Sequence, residues 1–213
     1  QSHRGSSPLG GTVRQARYKL IKLNSMKNEN LKLKTIMKKS NTFDNPEATI
    51  NIENDGKSVI FVPLGGLEEV GRNSMFFEYQ NEIVIIDLGL QFPEEETPGI
   101  DFIIPNTIYL ESKKQNIKAL VLTHAHYDHI GAIPYLIGKL SNPPIYATAL
   151  TKAIIEKRQE EFPNAPKLNI TIIKNGDRIK LSPNFTAEFF GVSHSIPDTT
   201  GINLITPVGN MVH

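Results

Sequence analysis

From about residue 57 the chain carries short β-rich apolar runs in quick succession, separated by turn residues. The runs are SVIFVPL (58–64), SMFFEY (74–79), EIVIID (82–87), KALVLT (118–123), PIYA (144–147), NITII (169–173), DRIKL (177–181), TAEFF (186–190) and GINLIT (201–206). Runs of this length and residue type predict strands, and so a sheet-dominated body. Tyr79-Gln80-Asn81-Glu82 and Pro207-Val208-Gly209-Asn210 read as hairpin turns, so many neighbouring strands are expected to pair antiparallel. Helices are fewer: about 104–115, with Pro105 at an early position, 130–140, and 148–161 with Thr148 as N-cap. No internal repeat is visible, and residues 41–56 have the texture of a linker.

Composition narrows the chemistry. With 213 residues and 39% hydrophobic content the chain can bury one substantial core. No window approaches the ~18 consecutive apolar residues of a membrane span, and no apolar segment near the first residue resembles a secretory signal. There are no cysteines, which excludes a disulfide scaffold, a thiolate nucleophile and a Cys-ligated metal site. Any metal must therefore sit on His and carboxylates.

The net charge of +1 hides an asymmetry: residues 1–40 carry ten Lys or Arg and one acid, whereas 41–213 carry thirteen against twenty-one. A basic segment on an acidic body could be a nucleic-acid arm, an organelle transit peptide, or a disordered solvated leader, partly vector-derived before Met26. Residues 1–56 are assigned as a basic disordered leader and linker, and 57–213 as the folded part.

The segment that carries chemistry is Thr123-His124-Ala125-His126-Tyr127-Asp128-His129, directly after the apolar strand KALVL. Alternate positions 124 and 126 point to one side of an extended segment, and a following helical turn swings 128 and 129 back toward it. Such an arrangement can give two adjacent metal clusters, since neutral imidazoles suit zinc and an added carboxylate lets a second cation bind beside the first. Elsewhere, His194 follows the strand TAEFF and is either a packed side chain or a metal ligand. No G-x-S-x-G elbow accompanies Ser193-His194-Ser195, which argues against a hydroxyl nucleophile. Asp87, ending EIVIID, either caps a turn or accepts a hydrogen bond from a ligand histidine, the second being favoured. Gly65 and Gly66 lack a phosphate-loop pattern and read as a tight turn near the site mouth. Asp198 reads as a turn residue.

H-x-H-x-D-H after an apolar strand resembles the signature of the metallo-β-lactamase superfamily. LGGLEEVGRN (64–73), IVIIDLGLQFPEEETPGIDFIIPN (83–106), THAHYDHIGAIPYL (123–136) and SHSIPDTTGINLITPVGNMVH (193–213) together resemble ribonuclease J, of the branch carrying an inserted β-CASP domain, from about residue 58 onward. Tyr127 stands where the motif usually has Glu, at a non-ligand position.

The resemblance implies an α+β fold of the metallo-β-lactamase type, an αββα sandwich of which this chain is the first part, truncated before the β-CASP domain. It implies a first zinc held by His124, His126 and His194, and a second begun by Asp128 and His129, with manganese as an alternative ion. Asp128 would be a ligand that also orients the attacking hydroxide. A shared metal-ligand Asp is expected just beyond the segment matching Met211-Val212-His213, so the 213-residue chain is expected not to cleave RNA alone. The implied activity is endonucleolytic and 5′→3′ exonucleolytic hydrolysis of single-stranded RNA in cytoplasmic RNA processing and decay, by a homo-oligomer or paralogue assembly with no membrane partner. Another hydrolase of the same fold, acting on thioesters or lactones, and a non-catalytic partner subunit are the alternatives.

Overall fold

The computed structural model describes residues 57–93 and 99–213, together with the backbone of three short strands, β1 (Thr12–Gln15), β2 (Leu20–Asn24) and β3 (Lys34–Ile36). The rest of the expected leader and linker lies outside the described residues, as does Glu94.

Eleven strands follow: β4 (Ser58–Gly65), β5 (Ser74–Tyr79), β6 (Glu82–Leu88), β7 (Ile100–Ile104), β8 (Ile117–Val121), β9 (Ile145–Ala147), β10 (Ile170–Ile172), β11 (Arg178–Lys180), β12 (Thr186–Gly191), β13 (Thr200–Thr206) and β14 (Gly209–Val212). The helices are α1 (Ile108–Ser112), α2 (Tyr127–Ile130), α3 (Ile133–Leu136) and α4 (Ala149–Gln159). A large sheet runs in the order β10-β9-β8-β6-β5-β4-β2-β3, and a small antiparallel sheet in the order β11-β12-β13-β14. The antiparallel expectation holds for β4 to β6 and for the small sheet. It fails for β6, β8, β9 and β10, which pair parallel because helical crossovers, not hairpins, join them.

Two cores explain the strand sequences. Val84, Ile86, Ala119 and Val121 of the large sheet face Phe185, Ala187, Phe189, Ile202 and Leu204 between the two sheets. Ile83, Ile85, Leu120 and Leu122 face the opposite way, onto Leu110, Ile130, Ile133, Leu136 and Ile155 from the helices. β6 is therefore covered on both faces, which is why it reads as an unbroken apolar run rather than an alternation. The hairpin joining β5 to β6 turns on Gln80 (φ 46°) and Asn81 (φ 63°), the paired positive values of a tight two-residue turn.

The helix expected over 104–115 begins later. Ile104 closes β7, and Asn106 Oδ1 accepts from the backbone N–H of Ile108 at 3.1 Å to start α1. The expected helix over 130–140 is two short pieces, because Pro134 has no N–H to donate and can only sit in a first turn. Thr148 does precede α4, but its hydroxyl bonds the Thr151 hydroxyl (2.9 Å) in place of a backbone N–H. No helix among the described residues is long and apolar enough to cross a membrane.

One irregularity matters for the site. Ser74 pairs with Leu88 and Met75 with Ile86, so Asp87 is a surplus residue, a β-bulge, at φ 57°. The bulge changes the phase of β6: Ile86 faces the inter-sheet core, whereas Leu88, two residues on, faces the helices. In a regular strand the two would share a face.

Candidate metal centre

The centre lies at the carboxyl ends of the parallel strands β6 and β8, where chain reversals leave backbone groups free to be recruited. β8 ends at Val121 and α2 begins at Tyr127, so His124 and His126 fall in the loop between strand and helix, whereas Asp128 and His129 lie in α2. Backbone hydrogen bonds lock this loop. Asn73 N–H donates to Asp128 C=O (2.7 Å), Leu90 N–H to Tyr127 C=O (3.1 Å), Ala132 N–H to Leu88 C=O (3.0 Å) and Thr200 N–H to Thr123 C=O (3.0 Å). Gly89 makes this closeness possible: a Cβ there would lie 1.5 Å from the Asp128 carbonyl oxygen.

His124 is buried, His126 half-buried and His194 exposed, and one ring nitrogen of each lies within 4.8 Å of the others. His126 Nδ1 is 3.1 Å from His124 Nε2 and 3.1 Å from His194 Nε2. Nitrogens bound at ~2.0–2.1 Å around a tetrahedral ion would be about 3.3 Å apart, so the cluster has the dimensions of a three-histidine metal site. His194 reaches it from the loop between β12 and β13, 68 residues further along the chain. Burial, followed by the charge of neighbouring His129, pushes His124 down to about 4, so its imidazole is neutral and able to ligate near pH 7.

Asp128 and His129 lie beside this cluster. The rings of His124 and His129 are 4.1 Å apart between centroids, and His129 Nε2 is 3.6 Å from Asp128 Oδ2. Asn73 Nδ2 donates to Asp128 Oδ2 (2.9 Å) and lies 3.1 Å from His129 Nε2, holding the two donor atoms at one point.

Asp87 is fully buried behind both groups. It accepts from His129 Nδ1 (2.7 Å), from the Thr123 hydroxyl (2.8 Å) and from the Thr123 backbone N–H (2.9 Å). Burial alone would raise its carboxyl, but hydrogen bonds and charge from His129 and His213 hold it far below the usual carboxylate range. His129 is raised in turn, because the Asp87 hydrogen bond and the charges of Asp87 and Asp128 outweigh its desolvation. With Nδ1 donating to Asp87, Nε2 of the neutral His129 ring carries the lone pair, which faces Asn73 Nδ2.

The sequence-derived set of His124, His126, Asp128, His129, His194 and Asp87 is thus brought together. Gly66 (φ 81°) makes the expected turn, and packs against Asn73, whose Oδ1 would be 2.2 Å from a Cβ at that position. Asp198 sits in a turn, as expected, at φ 58° and contacts none of these groups among the described hydrogen bonds. Three participants were not singled out: Asn73, Thr123 and His213, whose Nε2 lies 3.8 Å from Asp87 Oδ2. Their contacts with Asp128 and Asp87 span between 36 and 126 residues, and no local spacing announces them.

The chain with this histidine cluster at the strand ends of a two-sheet core matches the family model of the metallo-beta-lactamase superfamily over residues 67–201. The chain belongs to that superfamily. Within it the sequence falls in the ribonuclease J family: it is 44% identical over 160 residues to ribonuclease J of Thermus thermophilus, covering 73% of this chain and 28% of that protein. It is 36% identical over 152 residues to ribonuclease J of Synechocystis, covering 71% and 24% respectively. The chain spans about a quarter of the length of these curated relatives. Among solved structures, the MIM-2 metallo-beta-lactamase superposes with a TM-score of 0.49 at 18% identity, covering 72% of this chain and 56% of that one.

Proposed function

We propose that this chain provides the metal-binding core of a metal-dependent ribonuclease that hydrolyses phosphodiesters of single-stranded RNA, both internally and from the 5′ end, in cytoplasmic RNA processing and decay. The observation that carries this reading is the convergence of His124, His126 and His194 in a chain 36–44% identical to curated ribonucleases J. In this reading His124, His126 and His194 hold one zinc ion, and Asp128 and His129 begin the site of a second, with manganese as the alternative ion. Divalent cations held there would bring the pKa of water from 15.7 toward ~7 and offset charge on the phosphoryl oxygens.

The chain's own residues do the positioning. Asp87 keeps the His129 Nδ1 proton on the side away from the cluster, and Asn73 fixes the Asp128 carboxylate so that its oxygens point one way. His194 is exposed and closes the cluster from the side open to solvent, where a phosphodiester would approach. Residues 41–213 carry an excess of eight acids, so affinity for RNA phosphates must be supplied by other basic groups, residues 1–40 being one source. The working protein is proposed to be a homo-oligomer or an assembly with a paralogue.

The test is a 5′-monophosphorylated single-stranded RNA incubated with the encoded full-length protein and zinc or manganese. Metal-dependent shortening and internal cleavage that His124→Ala abolishes is the expected result. Hydrolysis of a thioester or lactone with no action on RNA would overturn the assignment.

A further inference from the structure

Thr123 is the point at which both histidine clusters meet one hydroxyl group. Its side chain is buried, and its Oγ1 lies 2.8 Å from Asp87 Oδ2, 2.9 Å from His124 Nδ1 and 3.3 Å from His129 Nδ1. The peptide around it is held from both sides, with Thr123 N–H donating to Asp87 Oδ1 (2.9 Å) and Thr123 C=O accepting from Thr200 N–H (3.0 Å). The hydroxyl therefore has little freedom beyond rotation of its proton.

A hydroxyl has one proton to give and two lone pairs to accept with, whereas an ionised carboxylate only accepts. The Thr123 proton is thus committed to Asp87. What Thr123 offers His124 is a lone pair, and the 2.9 Å contact is a hydrogen bond only when Nδ1 of His124 carries the ring proton. In that tautomer Nε2 is bare, and Nε2 is the atom that stands 3.1 Å from His126 Nδ1, within the cluster.

We propose that Thr123 is a positioning residue that holds His124 in the Nδ1–H tautomer, so that Nε2 is available to a cation. One buried carboxylate then sets both imidazoles, His129 by direct contact and His124 through the Thr123 hydroxyl. The proposal rests on the metal-binding reading of the cluster, but its central claim concerns a proton in the metal-free protein.

The experiment uses that difference. In the metal-free, histidine-15N-labelled protein, two-bond 1H–15N correlations report the His124 tautomer, and chelator competition reports zinc affinity. Wild type and Thr123→Ser are expected to show the Nδ1–H form and to bind zinc alike. Thr123→Val, which keeps the shape but removes the acceptor, is expected to shift His124 toward the Nε2–H form and to weaken zinc binding by about 10–100-fold, the usual effect of losing such a partner. Should the Val variant fail to fold, Thr123→Ala and the wild-type tautomer decide the matter. A wild type that binds zinc yet shows Nε2–H at His124, or a folded Thr123→Val that keeps both tautomer and affinity, overturns the inference alone. A wild type that binds no zinc overturns the metal reading beneath it.

Discussion

Asp87 Oδ2 lies 2.7 Å from His129 Nδ1, and the carboxylate that makes this contact is fully buried on a bulged residue of β6. The bond orients the imidazole and also gives the carboxylate a donor it would otherwise lack inside the protein. Asp87→Ala removes the acceptor for His129 and for two groups of Thr123. Zinc affinity is expected to fall by about 10–100-fold, and each orphaned buried donor costs about 1–3 kcal/mol of stability. Chelator competition and urea unfolding on the same variant measure the two effects; an unchanged affinity with reduced stability would confine Asp87 to a structural role.

Ligand number separates the two halves of the centre. Three imidazoles and a water complete a tetrahedral site, whereas Asp128 and His129 supply two protein donors. The 213-residue chain is therefore expected to retain one zinc ion after dialysis, and His194→Ala to release it. Elemental analysis returning two tightly held ions per chain would show that the second half is complete within these residues.

Gly89→Ala tests the backbone approach. The new Cβ would lie 1.5 Å from the Asp128 carbonyl oxygen and 2.1 Å from its carbon, so the loop of residues 124–129 must move. The variant is expected to lose zinc affinity by at least tenfold, the scale on which displaced ligand partners are felt, though it alters no side chain that could bind metal. Wild-type affinity in a folded Gly89→Ala protein would mean that the loop tolerates displacement.

A second buried network lies away from the metal ligands. Tyr109 Oη donates to Glu78 Oε2 (2.6 Å), and Lys113 Nζ donates to Glu78 Oε1 (2.7 Å). Burial, then the hydrogen bond and negative charge of Glu78, raise the Tyr109 phenol above its ordinary value of 10.0. A group raised in the folded state contributes its full stabilisation below its unfolded pKa and loses it as pH rises through the folded value. Wild-type stability is thus expected to decline above about pH 10. Tyr109→Phe is expected to cost about 1.5–3 kcal/mol at neutral pH, as for a hydrogen bond to a charged group, and to flatten the alkaline decline. Unfolding curves at neutral and alkaline pH check both parts.

The strands that lie between hairpin turns, and the H-x-H-x-D-H cluster itself, were legible because their information is local. β5 occupies the predicted span, and β4, β6, β12 and β13 differ from it by one residue at an end. Ile104 falls in β7 and not in the expected helix because Pro105 fits the first turn of a helix as well as the end of a strand, and non-local pairing, with β1 and between Gln91 and Ile103, decides for the strand. Asn73 and Thr123 were invisible for a related reason. A polar residue beside an apolar run has many bland explanations, and its partner is fixed by sheet register, which a single sequence does not display. Residue type and position at a strand end point to Asp87 as a partner of the motif's histidines, but the bulge that aims it has no local signature.

The surplus residue in β6 also bears on how such a protein changes over generations. Deleting it would restore an uninterrupted ladder between β5 and β6 and leave Leu88 on the face toward the helices, which favours the sheet, yet would withdraw the carboxylate. Selection for robustness and selection for chemistry therefore pull in opposite directions at a single position. A lineage released from the second would be free to shed the irregularity. In a related sequence, an apolar rhythm that breaks step at an aspartate before a glycine would mark a centre still under selection for its metal.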